Sequence, residues 1–228
     1  MKRQIRRSVF ETNSSSMHSL TVMKQDYRCT LEEISKELHL LNGVWHIWED
    51  DLEFGRSPFK VLTTFEDKWC YACASLVNEY NDDNYKELER IAFKYIPNLK
   101  KIELPIETKH IYNKNADENK DDKYAQKYGM TEDEFDKFLE QKEKEWDIEI
   151  RCWIDTSDNF RYEEPFTGWN DGNILSGFLK KEGITLEEFL INKKYVAIQD
   201  GDEYCEWDKF KRSGLMDVSK IDHEYPSR

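Results

Sequence analysis

The run Glu11-Thr12-Asn13-Ser14-Ser15-Ser16-Met17-His18-Ser19 brings hydroxyls, an amide, a carboxylate and an imidazole together in nine residues, with Arg6 and Arg7 just ahead of it. Such residues can hold an anion. Guanidinium groups supply charge and paired N–H donors. Asn13, Ser14, Ser15, Ser16 and Ser19 supply short polar arms, and consecutive loop amides can form a nest. His18 adds a group that titrates near neutral pH. Arg6, Arg7, Asn13, Ser14, Ser15, Ser16, His18 and Ser19 are therefore the candidate ligand-binding set. The same run also admits nucleophilic catalysis. Ser16 would attack, His18 would take its proton and Glu11 would orient the imidazole. Ser16 and His18 are two apart, so an extended chain points both the same way. No Gly-x-Ser-x-Gly elbow accompanies them, and no motif names a cofactor.

A second group is acidic. Asp155, Asp158, Glu163, Glu164 and Asp171 gather in one turn-rich stretch with Trp153 and Trp169 among them, and Asp200, Asp202 and Glu203 lie beside Tyr204 and Trp207. This is the makeup of a solvated surface or of a surface that docks a basic partner. Trp153, Asp155, Asp158, Glu163, Glu164 and Trp169 are the candidate partner-binding residues. Their charge could imitate a nucleic-acid backbone. The spacing fits no calcium loop. The lone Cys70-x-x-Cys73 has no second ligand pair, so it reads as two small buried hydrophobes, and no metal site is expected.

Charge separates these groups. Across 228 residues, 34 Lys and Arg face 47 Asp and Glu, a net of −13. The first 28 residues are +4, which leaves −17 for the rest. An acidic body argues against broad nucleic-acid binding. With 38% hydrophobic and 14% aromatic residues the chain can build a core. No stretch approaches the ~20 apolar residues of a membrane span, and the basic start lacks the apolar segment of an export signal. Five cysteines, an odd number, fit a reducing cytoplasm.

The elements that position these residues are short. Residues 2–10 and 20–23 read as strands on either side of the Ser/His loop. Thr30-x-x-Glu33 is a capping box for a helix running to about 41, ended by Asn42-Gly43. Residues 44–48 read as a strand and 54–58 as a turn. A second capping box at Thr63 opens a helix bearing Trp69, Cys73, Leu76, Val77 and Tyr80. Asp82 or Asp83 caps the next helix, and Pro97 stops it. Residues 99–106 look like one strand weakened by Pro105. Thr131 caps a charged helix to about Trp146, which reads as a solvated or a partner-binding helix. Residues 148–154 alternate as a half-buried strand does. Residues 174–181 and 186–192 are short helices. Residues 195–199 are a strand, with an Asp200-Gly201 turn and a partner at 203–207. Interspersed strands and helices without βαβ spacing indicate an α+β fold, a small mixed or antiparallel sheet with several packed helices. Residues 1–106 carry the Ser/His loop, 107–147 form a charged excursion, and 148–228 pack with the first part.

The stretch Phe10 to Ser19 resembles the N-terminal signature of a family of bacteriophage and prophage proteins of Gram-positive hosts. Its pattern is Phe-Glu-Thr-Asn-Ser-Ser-Ser-x-His-Ser, and this chain matches it at Phe10, Glu11, Thr12, Asn13, Ser14, Ser15, Ser16, His18 and Ser19. Weaker likenesses follow at 53–55, 64–68 and 186–202. Members often carry Ile-Asp-His where this chain has Ile154-Asp155-Thr156. The resemblance covers about a tenth of the chain and implies a phage-like origin and a site, with no reaction attached. The expected function is that of an acidic accessory protein in the cytoplasm of a bacterial host, binding a host or defence protein as an inhibitor or nucleic-acid mimic. The alternative is an enzyme or sensor that takes a phosphorylated ligand or nucleotide at the Arg/Ser/His loop.

Overall fold

The computed structural model describes residues 17–24, 26–54, 60–116, 120–170, 174–200, 209, 212–217 and 222–223. In chain order they form β1 (Met17–Val22), α1 (Leu31–Glu37), β2 (Leu40–Leu41), β3 (Val44–His46), α2 (Glu49–Leu52), β4 (Glu53–Phe54), β5 (Lys60–Leu62), α3 (Phe65–Leu76), α4 (Asp83–Tyr95) and β6 (Lys101–Glu103). There follow β7 (Ile106–Ile111), α5 (Lys123–Tyr128), α6 (Glu132–Trp146), β8 (Cys152–Ile154), β9 (Phe160–Pro165), β10 (Trp169–Asn170), α7 (Leu175–Glu182), α8 (Leu186–Ile191), β11 (Tyr195–Asp200) and β12 (Asp222–His223). The fold is α+β. A four-stranded sheet runs β12-β1-β11-β5, and three smaller sheets run β2-β3-β6, β7-β9-β8 and β10-β4.

Helix starts follow the capping residues. Thr30 closes a full box, accepting from the Glu33 amide at 3.2 Å while its own amide donates to Glu33 Oε2 at 2.9 Å. Thr131 does the same for α6 with Glu134, and Thr185 caps α8. The helix expected from a box at Thr63 is capped by Thr64 instead, whose hydroxyl accepts from the Asp67 amide and donates to Asp67 Oδ2. Asp82 caps α4.

Four expectations shift. The first helix stops at Leu38, because Asn42-Gly43 makes a hairpin instead of a helix end. Both residues have positive φ, 57° and 87°, which the tight β2–β3 turn demands. A Cβ on Gly43 would also meet the Asn98 carbonyl oxygen at 2.9 Å. The expected strand at 99–106 divides at Leu104-Pro105, sending β6 and β7 to different sheets. The 148–154 strand shrinks to β8, whose three residues are all exposed, because it is the outer strand of its sheet. The polar loop ends by residue 16, since Met17 to Ser19 already belong to β1. The expected strand at 2–10, the turn beyond Phe54 and the 203–207 partner strand lie outside the described residues.

Two cores result. The larger surrounds α3, with Phe65, Trp69, Tyr71, Leu62, Leu88 and Phe189 fully buried. Cys70 and Cys73 lie within it, and burial raises both thiols above their ordinary value. Lys68 is buried there too. Its Nζ donates to the carbonyls of Phe189, Asn192 and Tyr195 at 2.7, 3.0 and 3.4 Å, tying the end of α8 to the start of β11. Burial pushes this ammonium down to about 7. The second core holds Phe135, Leu139 and Trp146 of α6 against Ile150, Phe160 and Tyr162. It spans the expected boundary at 147/148, since β7 pairs with β9 along six residues. Tyr80 packs on both cores, its ring edge-on to Trp146 at 5.7 Å.

Candidate functional site

The serine-rich signature feeds directly into β1. Arg6, Arg7, Glu11, Asn13, Ser14, Ser15 and Ser16 lie outside the described residues. His18 and Ser19 belong to the backbone of β1, in register with Gln199 and Ile198 of β11. They are strand residues because β1 is flanked by β11 and β12, whose ladders hold the backbone as far as Met17 and Ser19 respectively. Gln199 is itself in register with Lys60 of β5. His18, Gln199 and Lys60 thus form one row across three strands. The Lys60 ammonium lies 2.9 Å from Asp67 Oδ1. Asp67 Oδ2 accepts from the Thr64 hydroxyl at 2.8 Å. Sequence reading passed over Lys60, whose place beside the signature depends on a pairing between residues far apart in the chain.

The acidic stretch divides among three places. Trp153, Asp155, Asp158 and Glu163 stay together on β8, the following turn and β9. Their carboxylates are largely engaged. Asp155 accepts from the amides of Ser157 and Asn159 at 2.8 and 3.0 Å and pairs with Arg161 at 2.7 Å. Burial acts to raise its pKa, but those amides and the guanidinium hold it below the ordinary value. Glu163 pairs with Arg151 at 3.2 Å, and Arg151 lies over the Trp153 ring at 5.3 Å. Arg161 also contacts His110, directly across the strand pair. Asp158 sits at the turn with φ 57°. Glu164 points to the opposite face of the sheet, opposite Glu107 and 3.5 Å from Lys109, and burial raises its pKa. Trp169 belongs to the separate β10–β4 pair.

A different acidic surface emerges on α6. Its inward stripe is Phe135, Leu139 and Trp146. Outward, Glu132, Asp133, Asp136 and Glu140 are exposed and make no ion pair with a described residue. Glu132, Asp136 and Glu140 recur every four residues, about 6 Å apart along the helix. Close in sequence to this stripe, Tyr112, Tyr124 and Tyr128 are exposed by 39%, 62% and 53%. Their rings contact one another, with centroids at 6.3 and 4.6 Å, and Lys127 lies over Tyr128. The sequence offered only the four-residue spacing of Tyr124 and Tyr128 as a sign of this cluster.

Among the described residues no group of three His, Cys, Asp or Glu is placed to hold a metal ion. A recess of about 250 Å³ lined by Ser35, Leu38, Leu40, Ile96, Pro97 and Asn98 carries no titratable side chain. No described helix is long and apolar enough to cross a membrane. No family model, curated protein or solved structure matches the chain.

Proposed function

We propose that the chain acts by binding a basic partner protein, as a phage-type accessory protein engaging a host or defence protein in the bacterial cytoplasm. The observation that carries this reading is the row of exposed carboxylates on α6 that pair with no described residue, with exposed tyrosines close by in sequence. Tyrosines give contact area at low entropy loss, and complementary charge steers association and selects partners. The Trp153 surface, with its acids engaged by arginines, is the weaker candidate. Inhibition by mimicry is the form this binding takes: the carboxylate row would compete for a surface that otherwise takes nucleic acid.

The test is co-purification from host extract followed by a salt titration. Asp133→Lys with Asp136→Lys and Glu140→Lys should release the retained protein, and binding by the wild type should weaken steeply with salt. Ser16→Ala and His18→Ala should leave binding intact. Retention of the same protein by the triple variant would count against the reading.

A second reading is that the signature takes a phosphorylated ligand or nucleotide. The row joining His18 to Lys60 favours it by adding a cation from a different part of the chain.

A further inference from the structure

We propose that β8 is the interface of a homodimer, in which two copies of the chain join edge to edge about a two-fold axis at Trp153. The proposal is independent of both readings above. β8 is the outer strand of its sheet among the described residues. Cys152 and Ile154 pair with Tyr162 and Phe160, so they share the sheet face that packs on α6. Phe135 of α6 stacks on Phe160, and Phe138 meets Tyr162 edge-on. Beyond them Cys152 is exposed and Ile154 is 54% exposed. The core face of the sheet thus runs on past the helix that covers it. Cys152, Trp153 and Ile154 carry no charge and no proline to blunt this edge.

The edge is complementary to itself, which selects a second copy as its occupant and fixes the register. The Arg151 carbonyl accepts from the Glu163 amide at 2.8 Å, and the Asp155 amide donates to the Asn159 carbonyl at 2.9 Å. Positions 151 and 155 therefore bond toward β9, and alternation turns the N–H and C=O of Cys152 and Ile154 outward. The next outward amide, that of Ile150, is already taken by Glu143 Oε1 at 2.9 Å. An antiparallel pairing centred on Trp153 sets Cys152 of each copy against Ile154 of the other, each such pair exchanging two hydrogen bonds. Centred on Cys152, it would set Ile154 against the occupied Ile150. The Trp153 centre also places Arg151 across from Asp155 of the second copy, so opposite charges face one another. It brings Trp153 against itself at a non-hydrogen-bonded position, where side chains approach most closely.

Sedimentation velocity of the full chain over a concentration series tests this, in about 0.5 M NaCl to screen repulsion between two chains of net charge −13. The wild type should form a reversible dimer. Trp153→Lys sets like charges opposite each other and should weaken dimerisation about tenfold. Trp48→Lys, at an exposed tryptophan ahead of α2, should leave it unchanged. Register is read separately with Trp153→Cys in a Cys152→Ser, Cys205→Ser chain under glutathione disulfide. A disulfide-linked dimer should form, because the Cα atoms of a non-hydrogen-bonded pair lie about 4.5 Å apart, within disulfide reach. A wild type that stays monomeric throughout overturns the proposal. Equal weakening by Trp48→Lys and Trp153→Lys reveals general adhesion of exposed rings and also overturns it. A dimer that survives Trp153→Lys, or a Trp153→Cys chain that fails to cross-link, places the contact elsewhere and overturns it as well.

Discussion

The two cores differ in how they are held. Around α3, Phe65, Trp69, Leu62, Leu88, Phe178 and Phe189 are wholly removed from solvent. Around α6, the six buried residues all keep 2–8% of their surface exposed. Charge follows the same division. Residues 106–165 carry 18 acids and 10 bases, −8 of the total −13 in 60 of 228 residues. A unit with a thin core and strong self-repulsion has little stability to spare. The first core is a scaffold, and the second displays charge on it.

The largest effect should come from Trp69→Ala. Trp69 is fully buried, lies 4.9 Å from Trp45 and donates from Nε1 to the Leu88 carbonyl at 3.0 Å. Loss of about 3–5 kcal/mol is expected, read as a lower urea midpoint. Phe135→Ala removes a ring stacked on Phe160 at 4.4 Å. About 3 kcal/mol is expected there, felt locally. Hydrogen exchange should quicken in α6 and β9 while α3 and α4 stay protected. Equal loss of protection in both cores would erase the distinction, with Tyr80 as the coupling. Lys68→Met keeps the stem and leaves three buried carbonyls without their donor, a loss of about 1–3 kcal/mol. A neutral Lys68→Met would show that burying the ammonium offsets its hydrogen bonds.

Caps and helical stripes were legible because they are local. Thr30, Thr131 and Thr185 fix their helices within four residues. Asn42-Gly43 was misread because the pair serves a helix end and a hairpin alike, and only the strand after it decides. The alternation at 148–154 predicted burial that β8 lacks, because burial depends on what covers the sheet. The acids at 155–163 were visible as charges, but Arg151 and Arg161 neutralise them through side-chain contacts that periodicity does not report. The row shared by His18 and Lys60 was invisible, since β5 meets β1 only across β11.

Acid separates two carboxylates with opposite behaviour. Glu187 is bound by Lys94, Tyr95 and Arg90, which lower its pKa from 4.5 to about 2. Its contribution is complete above pH 4.5 and is lost as pH falls toward 2. Glu164 is shifted upward by burial, so the folded chain holds its proton more tightly than the unfolded chain does. Stability from this group therefore falls as pH rises above 4.5. In urea titrations Glu187→Gln should flatten the limb between pH 4.5 and 2. Glu164→Gln should instead remove a decline just above pH 4.5. An unchanged acid limb in Glu187→Gln would mean that its three partners are satisfied equally well without the charge.

The smallest effect on stability should fall on the residues proposed to matter most for binding. Asp136→Lys alters an exposed side chain on α6 that pairs with no described residue, so its effect should stay within about 0.5 kcal/mol. Its sign should be favourable, because it relieves repulsion from Glu132 and Glu140 one turn away on each side. A residue kept for folding would respond the other way. If Asp136→Lys raises the urea midpoint and weakens partner retention, the chain forgoes stability to keep that carboxylate, as a binding surface does and a merely solvated helix does not. If it lowers the midpoint, Asp136 is part of the scaffold and the division between the two units moves onto α6 itself.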